Sequence, residues 1–533
     1  MKQTMKHQSL LSGIKSLGLV LSLGLALASC TKDDVAQNPA KPNEEGNKNL
    51  TTFVAGGENK TRTSLDYNSG DFSWEAGDYI YVKDDDGVLQ ESTNAPTQKV
   101  AAFKYMVPGK FTKYNSYKVY YLGKNSSGNS VTISTNQSQT APDNTVHFGD
   151  AGDYGTATAN KVTGKNQFEF VLEHQPAYLV FQPYTSNTIL QDCYLTAIEV
   201  TSDNDIAETY TVRPPKGKLV ASTGTGSNKI VLTTKDPTSG SSYYYGFPLD
   251  NSAADVTNNG AYMVIKPGTH TLRVRYWVKD VATNIEGTIT KIYPSKAYAS
   301  NTYYDMTAEL NVRDYDGDHY YMWDAQEQYW KGYEWTKNLP AGVRQPTLGG
   351  QPAGYYAQSS SDSRYYNTSY PGNGISNPAT HTSCKDLPNA NEMTWYAKYG
   401  DPRWDADEVW TTMGHLYKGG IWFKKKSVLQ AEGHYNSNMG ALYDDWRTHT
   451  HDEHWSVSNT LPSAADIGNY FYLPALGYYN SGQLINVGYG GNYWSSSANP
   501  WFSQYAYGLT FDRSNVHVGY IYRYNGFRVG GFE

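Results

Sequence analysis

Three cysteines in 533 residues are too few to staple a fold. Cys30 stands alone near the start, and Cys193 and Cys384 lie so far apart that spacing neither requires nor forbids their pairing. No Cys-x-x-Cys pair occurs, which removes the usual structural zinc site. Beyond Cys30 no apolar run reaches the roughly 20 residues that a membrane-crossing helix needs. Positive charge is scarce too: 44 Lys and Arg against 51 Asp and Glu leave a net charge of −7, which argues against nucleic acid as a partner. The chain also lacks a Gly-x-Ser-x-Gly elbow, a His-Glu-x-x-His pair and a phosphate loop. It is therefore expected not to be an enzyme. Asp401, Asp405, Asp407, Glu408, Asp444 and Asp445 supply acids that a glycosidase would need, but helix capping and solvation account for them as well.

Tyrosine and glycine are abundant, at 48 and 49, while only 18% of residues are charged. Such a composition suits short strands joined by tight turns, and exposed rings suit binding surfaces. From residue 51 to 312 the pattern is almost wholly β. Leu272, Val274, Tyr276 and Val278 alternate with Arg273 and Arg275, which predicts a half-buried strand with its arginines on the outer face. Phe168, Phe170 and Leu172 alternate likewise, and clusters such as Asp84-Asp85-Asp86-Gly87 mark turns. These runs predict antiparallel sandwiches, and 260 or so residues suggest two of them, divided near residue 186. After residue 312 Trp becomes denser and helix signals appear. Asn389-Ala390-Asn391-Glu392 is a capping box, with residues 393–399 behind it and a stop at Gly400. Asp405-Ala406-Asp407-Glu408 predicts a second helix over 409–417, stopped at Gly419-Gly420. The expected fold is mainly β: two tandem antiparallel β-sandwiches, 50–185 and 186–312, then an α+β domain, 313–533.

Residues 1–29 read as a secretory leader: Lys2, Lys6 and Lys15 without an acid, then an apolar run from 17 to 28 that is too short to span. Leu27-Ala28-Ser29-Cys30 resembles the bacterial lipobox, which implies that Cys30 carries diacylglycerol as the first residue of the mature chain. Acyl chains hold a soluble domain on a membrane without a spanning helix. Asp33 and Asp34 just behind the lipid resemble a surface-export signal, which implies the outer membrane and the cell exterior as destinations. Residues 30–49 are rich in Pro, Asn, Lys and Glu and read as a flexible tether.

Phe53-Val54, Lys60-Thr61-Arg62-Thr63, Trp74-Glu75-Ala76-Gly77-Asp78-Tyr79-Ile80-Tyr81-Val82 and Phe168 to His174, with Ala177 and Leu179, resemble the fimbrillin-like pilins. That resemblance covers 50–312 and implies two β-sandwiches of the transthyretin-like, fimbrillin type. The end resembles the FISUMP-type major paralogous domain, which implies a C-type-lectin-like fold. Its matches are Leu461-Pro462-Ser463, Asn492-Tyr493-Trp494-Ser495-Ser496-Ser497, Ala506, Leu509, Phe511 and Arg523-Tyr524-Asn525-Gly526-Phe527. Gly530 stands where Cys is common in that family, and Arg528 precedes Val529 rather than coming after it. Asp324-Ala325-Gln326, Cys384-Lys385-Asp386, Asn391-Glu392-Met393 and Gly400-Asp401-Pro402 look like the front half of adhesin domains fused to fimbrillins.

The resemblance implies assembly by strand addition. A protease cuts after an arginine, the first strand leaves, and a strand of the next subunit is inserted in its place. Arg62 is the first arginine of the chain, with a strand-like segment at 50–55 before it, and is the expected cleavage point. A stalk subunit donates its C-terminus, but Val529 to Glu533 come directly after the last family motif, so a tip subunit is expected. Its partners would be other fimbrial subunits by donor-strand insertion, a host glycan or protein at the head, and the outer membrane through the precursor's lipid. The alternative is a surface glycan-binding lipoprotein that never polymerises.

Candidate ligand contacts are Asn499, Trp501, Tyr505 and Tyr507, with Trp501 in a loop and Trp494 expected in the core. His449, His451 and His454 form the densest ligand cluster and are weak candidates for a divalent metal. A solvated polar loop is the favoured reading, since no distant ligand can be named, so no cofactor is implied. Asp314 to Asp318 resembles part of a calcium loop but lacks the bidentate Glu.

Overall fold

β-branched and aromatic residues recur along this chain, and the strands they form gather into several sheets. The computed structural model describes residues 6–8, 50–56, 64–65, 67, 72–126, 128–213, 218–315, 317, 319–346 and 355–533. Cys30 and Arg62 lie outside the described residues. So do the tether at 30–49 and all of the leader but Lys6–Gln8, a short strand parallel to residues 302–304. Two units are distinguished: residues 1–277 with 293–310, and residues 278–292 with 311–533.

In the first unit Phe53-Val54, Tyr81-Val82 and Phe168 to Phe170 of the fimbrillin-like motifs fall on one sheet, while Ala177 and Leu179 fall on a second. The strands of the first sheet run in the order Leu89–Glu91, Tyr81–Lys83, Ser116–Tyr121, Gly155–Lys161, Gln167–Phe170, Leu50–Ala55, Phe103–Pro108. Leu50–Ala55 is an interior strand. It runs parallel to Gln167–Phe170, with Phe53 opposite Phe168, and antiparallel to Phe103–Pro108, with Phe53 opposite Tyr105. Phe53 is fully buried, stacked on Phe168 at 5.1 Å and edge-on to Phe111 at 5.1 Å. Trp74 fills the same core between Tyr105, Tyr121 and Phe170. The turn after Trp74 is held from within: the buried Asp78 carboxylate accepts from Glu75 N at 2.7 Å and from the Tyr121 hydroxyl at 3.0 Å.

A second sheet of this unit places Ala177–Tyr184 between Ala261–Ile265, antiparallel, and Thr302–Glu309, parallel. The expected division at 185/186 assigned Ala177–Tyr184 to the first sandwich. Its hydrogen bonds instead tie it to residues near 261 and 302, because long-range pairing, not chain order, decides sheet membership. The outer edge of Ala261–Ile265 is closed by side chains. Gln137 donates to Val264 O at 2.7 Å and accepts from Val264 N at 2.9 Å. Gln139 does the same for Gly260 O, at 2.9 Å, and Tyr262 N, at 2.8 Å. Two primary amides thus mimic a strand and leave no open edge there. Leu272, Val274 and Tyr276 are buried as expected, but Arg273 and Arg275 are buried too, at 8% and 5% exposure. The predicted outer face is therefore covered, and Arg275 lies over the Trp277 ring. Cys193 is buried in this unit, outside any disulfide, and its thiol donates to Ile189 O at 3.4 Å.

The second unit combines helix Ala390–Tyr399 with two β-layers. The capping box at its start is formed in full: Asn389 accepts from Glu392 N, and Glu392 accepts from Asn389 N. The second expected helix does not exist. Residues 403–424 form a hairpin of Arg403–Thr412 and His415–Lys424. Val409, Thr411 and Thr412 favour strand, and Met413-Gly414 turn with positive φ at both positions, 49° and 75°, as a two-residue hairpin requires. The Asp405 carboxylate does accept from Asp407 N and Glu408 N, at 3.0 and 3.2 Å, yet it caps a β-bulge rather than a helix. A final sheet runs in the order Tyr320–Tyr321, Phe527–Arg528, Gly491–Ala498, Tyr505–Phe511, Asn515–Tyr522, Glu453–Ser456. Helix Ala390–Tyr399 packs on it, and the Ser497 hydroxyl accepts from Ala390 N at 3.1 Å. Cys384 is also a buried free thiol; it accepts from Asp324 N, and burial pushes it up to about 12.

Candidate functional site

The Trp-Ser-Ser-Ser strand is scaffold. Trp494 is fully buried, donates to Tyr321 O at 2.7 Å and stacks on Phe527 at 4.4 Å. Arg523, in the other family motif, is also fully buried. Its guanidinium donates to Tyr505 O at 2.9 Å, Asn367 O at 2.8 Å and Ser369 O at 3.0 Å, and lies 4.5 Å over the Trp323 ring. Burial lowers it to about 10, so it stays charged at neutral pH. One arginine thus locks the base of the hairpin Tyr505–Phe511 and Asn515–Tyr522 to the loop at 367–369.

Side-chain alternation on that hairpin makes one continuous face. Phe511, Leu509, Val518 and Val516 belong to the core, and Tyr505, Tyr520 and Tyr522 continue the same face beyond it. There the cover ends. Tyr505 lies 5.3 Å from Tyr520 and 4.5 Å from Tyr522, Tyr522 stacks on Tyr524 at 4.9 Å, and Phe502 meets Tyr505 and Tyr520 at 6.1 and 6.2 Å. Phe502, Tyr522 and Tyr524 are exposed, at 50%, 39% and 38%. A hydrogen bond with Tyr522, with burial as the lesser cause, holds the Tyr505 phenol up at about 12, so that phenol is neutral at physiological pH.

The sequence candidates divide between this patch and its support. Trp501 is 44% exposed, and its indole donates to Thr448 O at 3.1 Å, which fixes the ring. Tyr505 is half-buried within the patch. Asn499 is fully buried: its side-chain oxygen accepts from Trp501 N at 2.9 Å, Phe502 N at 3.0 Å and the Thr450 hydroxyl at 3.2 Å. Asn499 therefore shapes the loop that displays Trp501 and Phe502. Tyr507 is buried as well; its hydroxyl accepts from His451 N at 3.0 Å and donates to His449 O at 2.8 Å. Sequence reasoning missed Phe502 and Tyr524. Phe502 comes directly after the singled-out Trp501, but only the register shows which of the many rings lose their cover.

The histidine cluster is split. His449 and His451 converge on Asp444, at 3.2 and 2.6 Å, and His451 stacks on Trp446. Burial works against the Asp444 carboxylate, but the His451 hydrogen bond, Asp445 N and the two imidazoles together hold it below its ordinary range. Next to it, Asp445 takes a two-pronged contact from Arg447, at 2.8 and 2.7 Å, plus Asn391 Nδ2 at 2.8 Å. The Arg447 hydrogen bonds draw it down to about 2. His454 points elsewhere, to His517. Asp314, from the partial calcium loop, accepts from the Thr411 hydroxyl at 2.8 Å, while Asp316 and Asp318 lie outside the described residues.

No family model matches the chain, and no curated protein matches it. Among solved structures, a protein assigned provisionally to cell adhesion from Bacteroides uniformis is 17% identical, with 50% of this chain and 94% of that one covered, at a TM-score of 0.29. A fimbrial protein from Bacteroides ovatus is 11% identical, with 90% and 98% covered, at 0.22. The fimbrial anchor protein Mfa2 from Porphyromonas gingivalis is 11% identical, with 45% and 82% covered, at 0.21. The chain is similar to these proteins only at a level that carries no inference about fold or function.

Proposed function

We propose that this chain is the tip subunit of a surface fimbrium, with residues 313–533 as a lectin-like, non-enzymatic adhesive head. The observation that carries the reading is the ring cluster of Phe502, Tyr522 and Tyr524, exposed, with the half-buried Tyr505 between them and the exposed Trp501 next to Phe502 in sequence, at the end of a hairpin locked from behind by Arg523. Rigid, uncharged rings give large contact area at low entropy cost and suit the apolar face of a sugar or a protein loop. In this reading the lipid on Cys30 takes the precursor to the outer membrane, and cleavage at Arg62 frees strand Leu50–Ala55 for replacement by a strand of a neighbouring subunit. Loss of that strand would uncover Phe168, Phe111 and Tyr105 and leave two rows of unpaired backbone groups, which is the demand that strand insertion meets. The last residues are already engaged: Phe532 packs on Tyr396, Phe471 and Tyr493, and Glu533 O accepts from Lys426 N at 2.7 Å.

A second reading is favoured by the interior position of Leu50–Ala55: a surface glycan-binding lipoprotein that keeps this strand and never polymerises. N-terminal sequencing of the protein shaved from cells separates the two. A start at Thr63 supports the fimbrial subunit; a blocked start at Cys30 overturns it in favour of the monomer. The head is tested on an array of neutral and acidic glycans. Trp501→Ala and Tyr522→Ala should each weaken binding about tenfold, the scale of a stacked anchor. Binding indifferent to both substitutions sinks the aromatic patch as the contact surface.

A further inference from the structure

Glu453–Ser456 pairs antiparallel with Asn515–Tyr522, and the register sets His454 directly opposite His517. Their rings stack at 4.3 Å. His517 alternates with Val516 and Val518, so it stands on the face opposite the core and the aromatic patch. Asp452 reaches the same place and its carboxylate meets His517 Nε2. Among the described residues, Asp452, His454 and His517 form a group of three ligand-type side chains whose donor atoms all lie within 4.8 Å of one another.

We propose that these three residues form a binding site for a borderline divalent ion such as zinc, cobalt or nickel. The donor set decides the class of ion. Two imidazole nitrogens and one carboxylate suit zinc and its neighbours, whereas calcium and magnesium ask for oxygen alone. Zinc bonds of about 2.0–2.2 Å in a tetrahedron put ligand atoms about 3.3–3.5 Å apart. The half-exposed His517 and the exposed Asp452 and His454 have the freedom to close that gap by turning about their side-chain bonds. Two further features mark the place as built. Gly519 sits on the same strand and face as His517, and a Cβ there would come within 2.2 Å of His517 Nε2 and 2.6 Å of Asp452 Oδ1, so the absent side chain makes the room in which the two meet. Thr510 Oγ1 lies 3.2 Å from His517 Nδ1, and a polar partner on that nitrogen orients a ligating imidazole so that Nε2 faces Asp452. His454 and His517 also line a cavity of about 430 Å³ with Asn486, Tyr489, Asn492 and Asp512. Three protein ligands leave a fourth position for water or for an oxygen ligand.

Calorimetric titration of the intact, tag-free chain with zinc chloride tests the site, with cobalt chloride and visible absorption as a second probe. One ion per chain should bind. His454→Ala and His517→Ala should each weaken binding by tenfold or more, and Gly519→Ala, which fills the space, should do the same. His449→Ala and His451→Ala, which alter the separate group around Asp444, should leave zinc affinity unchanged, and calcium chloride should give no heat. Each variant is first shown by thermal melting in chelator to match the parent, and a variant that fails is replaced by His→Gln at the same position. No zinc binding by the parent overturns the proposal. So does binding that survives loss of His454 and His517, or that depends on His449 and His451 instead.

Discussion

The chain gathers its rings in two ways. Around Phe53, Trp74, Phe111 and Phe168 they are buried on every side, while Trp501, Phe502, Tyr505, Tyr522 and Tyr524 stand partly in solvent. The residue types are the same, and both sets are carried by strands and by the turns beside them. The difference lies in the cover each strand receives. In the first sheet, neighbouring strands and turns close over each ring, so aromatic area becomes folding energy, at about 25 cal/mol per Å² buried. On the hairpin Tyr505–Phe511 and Asn515–Tyr522 the core face simply runs past its cover. Aromatic area there adds little to folding and remains available to a partner.

That contrast can be broken at either end. Phe53→Ala should lower the stability of the N-terminal unit by about 3–5 kcal/mol, seen as a shift in urea midpoint, since it opens a cavity under Phe168. Arg523→Met should destabilise the C-terminal unit by about 2–4 kcal/mol, because three backbone carbonyls lose their donor inside the fold. Asp445→Asn should cost about 1–2 kcal/mol near neutral pH. The sign of its pH dependence is fixed: the folded carboxyl sits at about 2 and the unfolded one at 3.8, so the contribution is whole above 3.8 and disappears as pH falls toward 2. Parent and variant melting curves should converge over that window. Trp501→Ala should change stability by less than about 0.5 kcal/mol while weakening the proposed glycan binding about tenfold, the reverse of Phe53→Ala. Equal stability losses from Phe53→Ala and Trp501→Ala would erase the distinction between core and surface rings.

Local signals carried well into the structure where one strand or one helix decides the outcome. Phe168 and Phe170 alternate into a core, and the Asn389 to Glu392 box starts a helix as written. The same box at Asp405 to Glu408 misleads, because an Asp that accepts two successive N–H groups looks alike at a helix start and at a bulge; Val409 to Thr412 and the Met413-Gly414 turn decide for strand. Arg273 and Arg275 read as surface because alternation cannot see a second layer. His449, His451 and His454 are neighbours in sequence, yet a strand turns His454 away to a residue far along the chain. The exposure of Trp501 was legible from its loop position, but the burial of Asn499 and Tyr507 was not, since it depends on loops from separate segments of the chain.

The double pairing of Leu50–Ala55 bears on timing as well as shape. A strand joined to its own groove by a short stretch of chain competes at an effective concentration on the order of millimolar. A strand from another molecule is far more dilute and loses that contest, however well it fits. Severing the link at Arg62 would abolish the advantage in one step, since the strand, once released, diffuses away. On the proposed reading, the covalent bond at Arg62 would act as the clock of assembly: uncut, the subunit would be self-satisfied in transit, and once cut it would need a neighbour's strand.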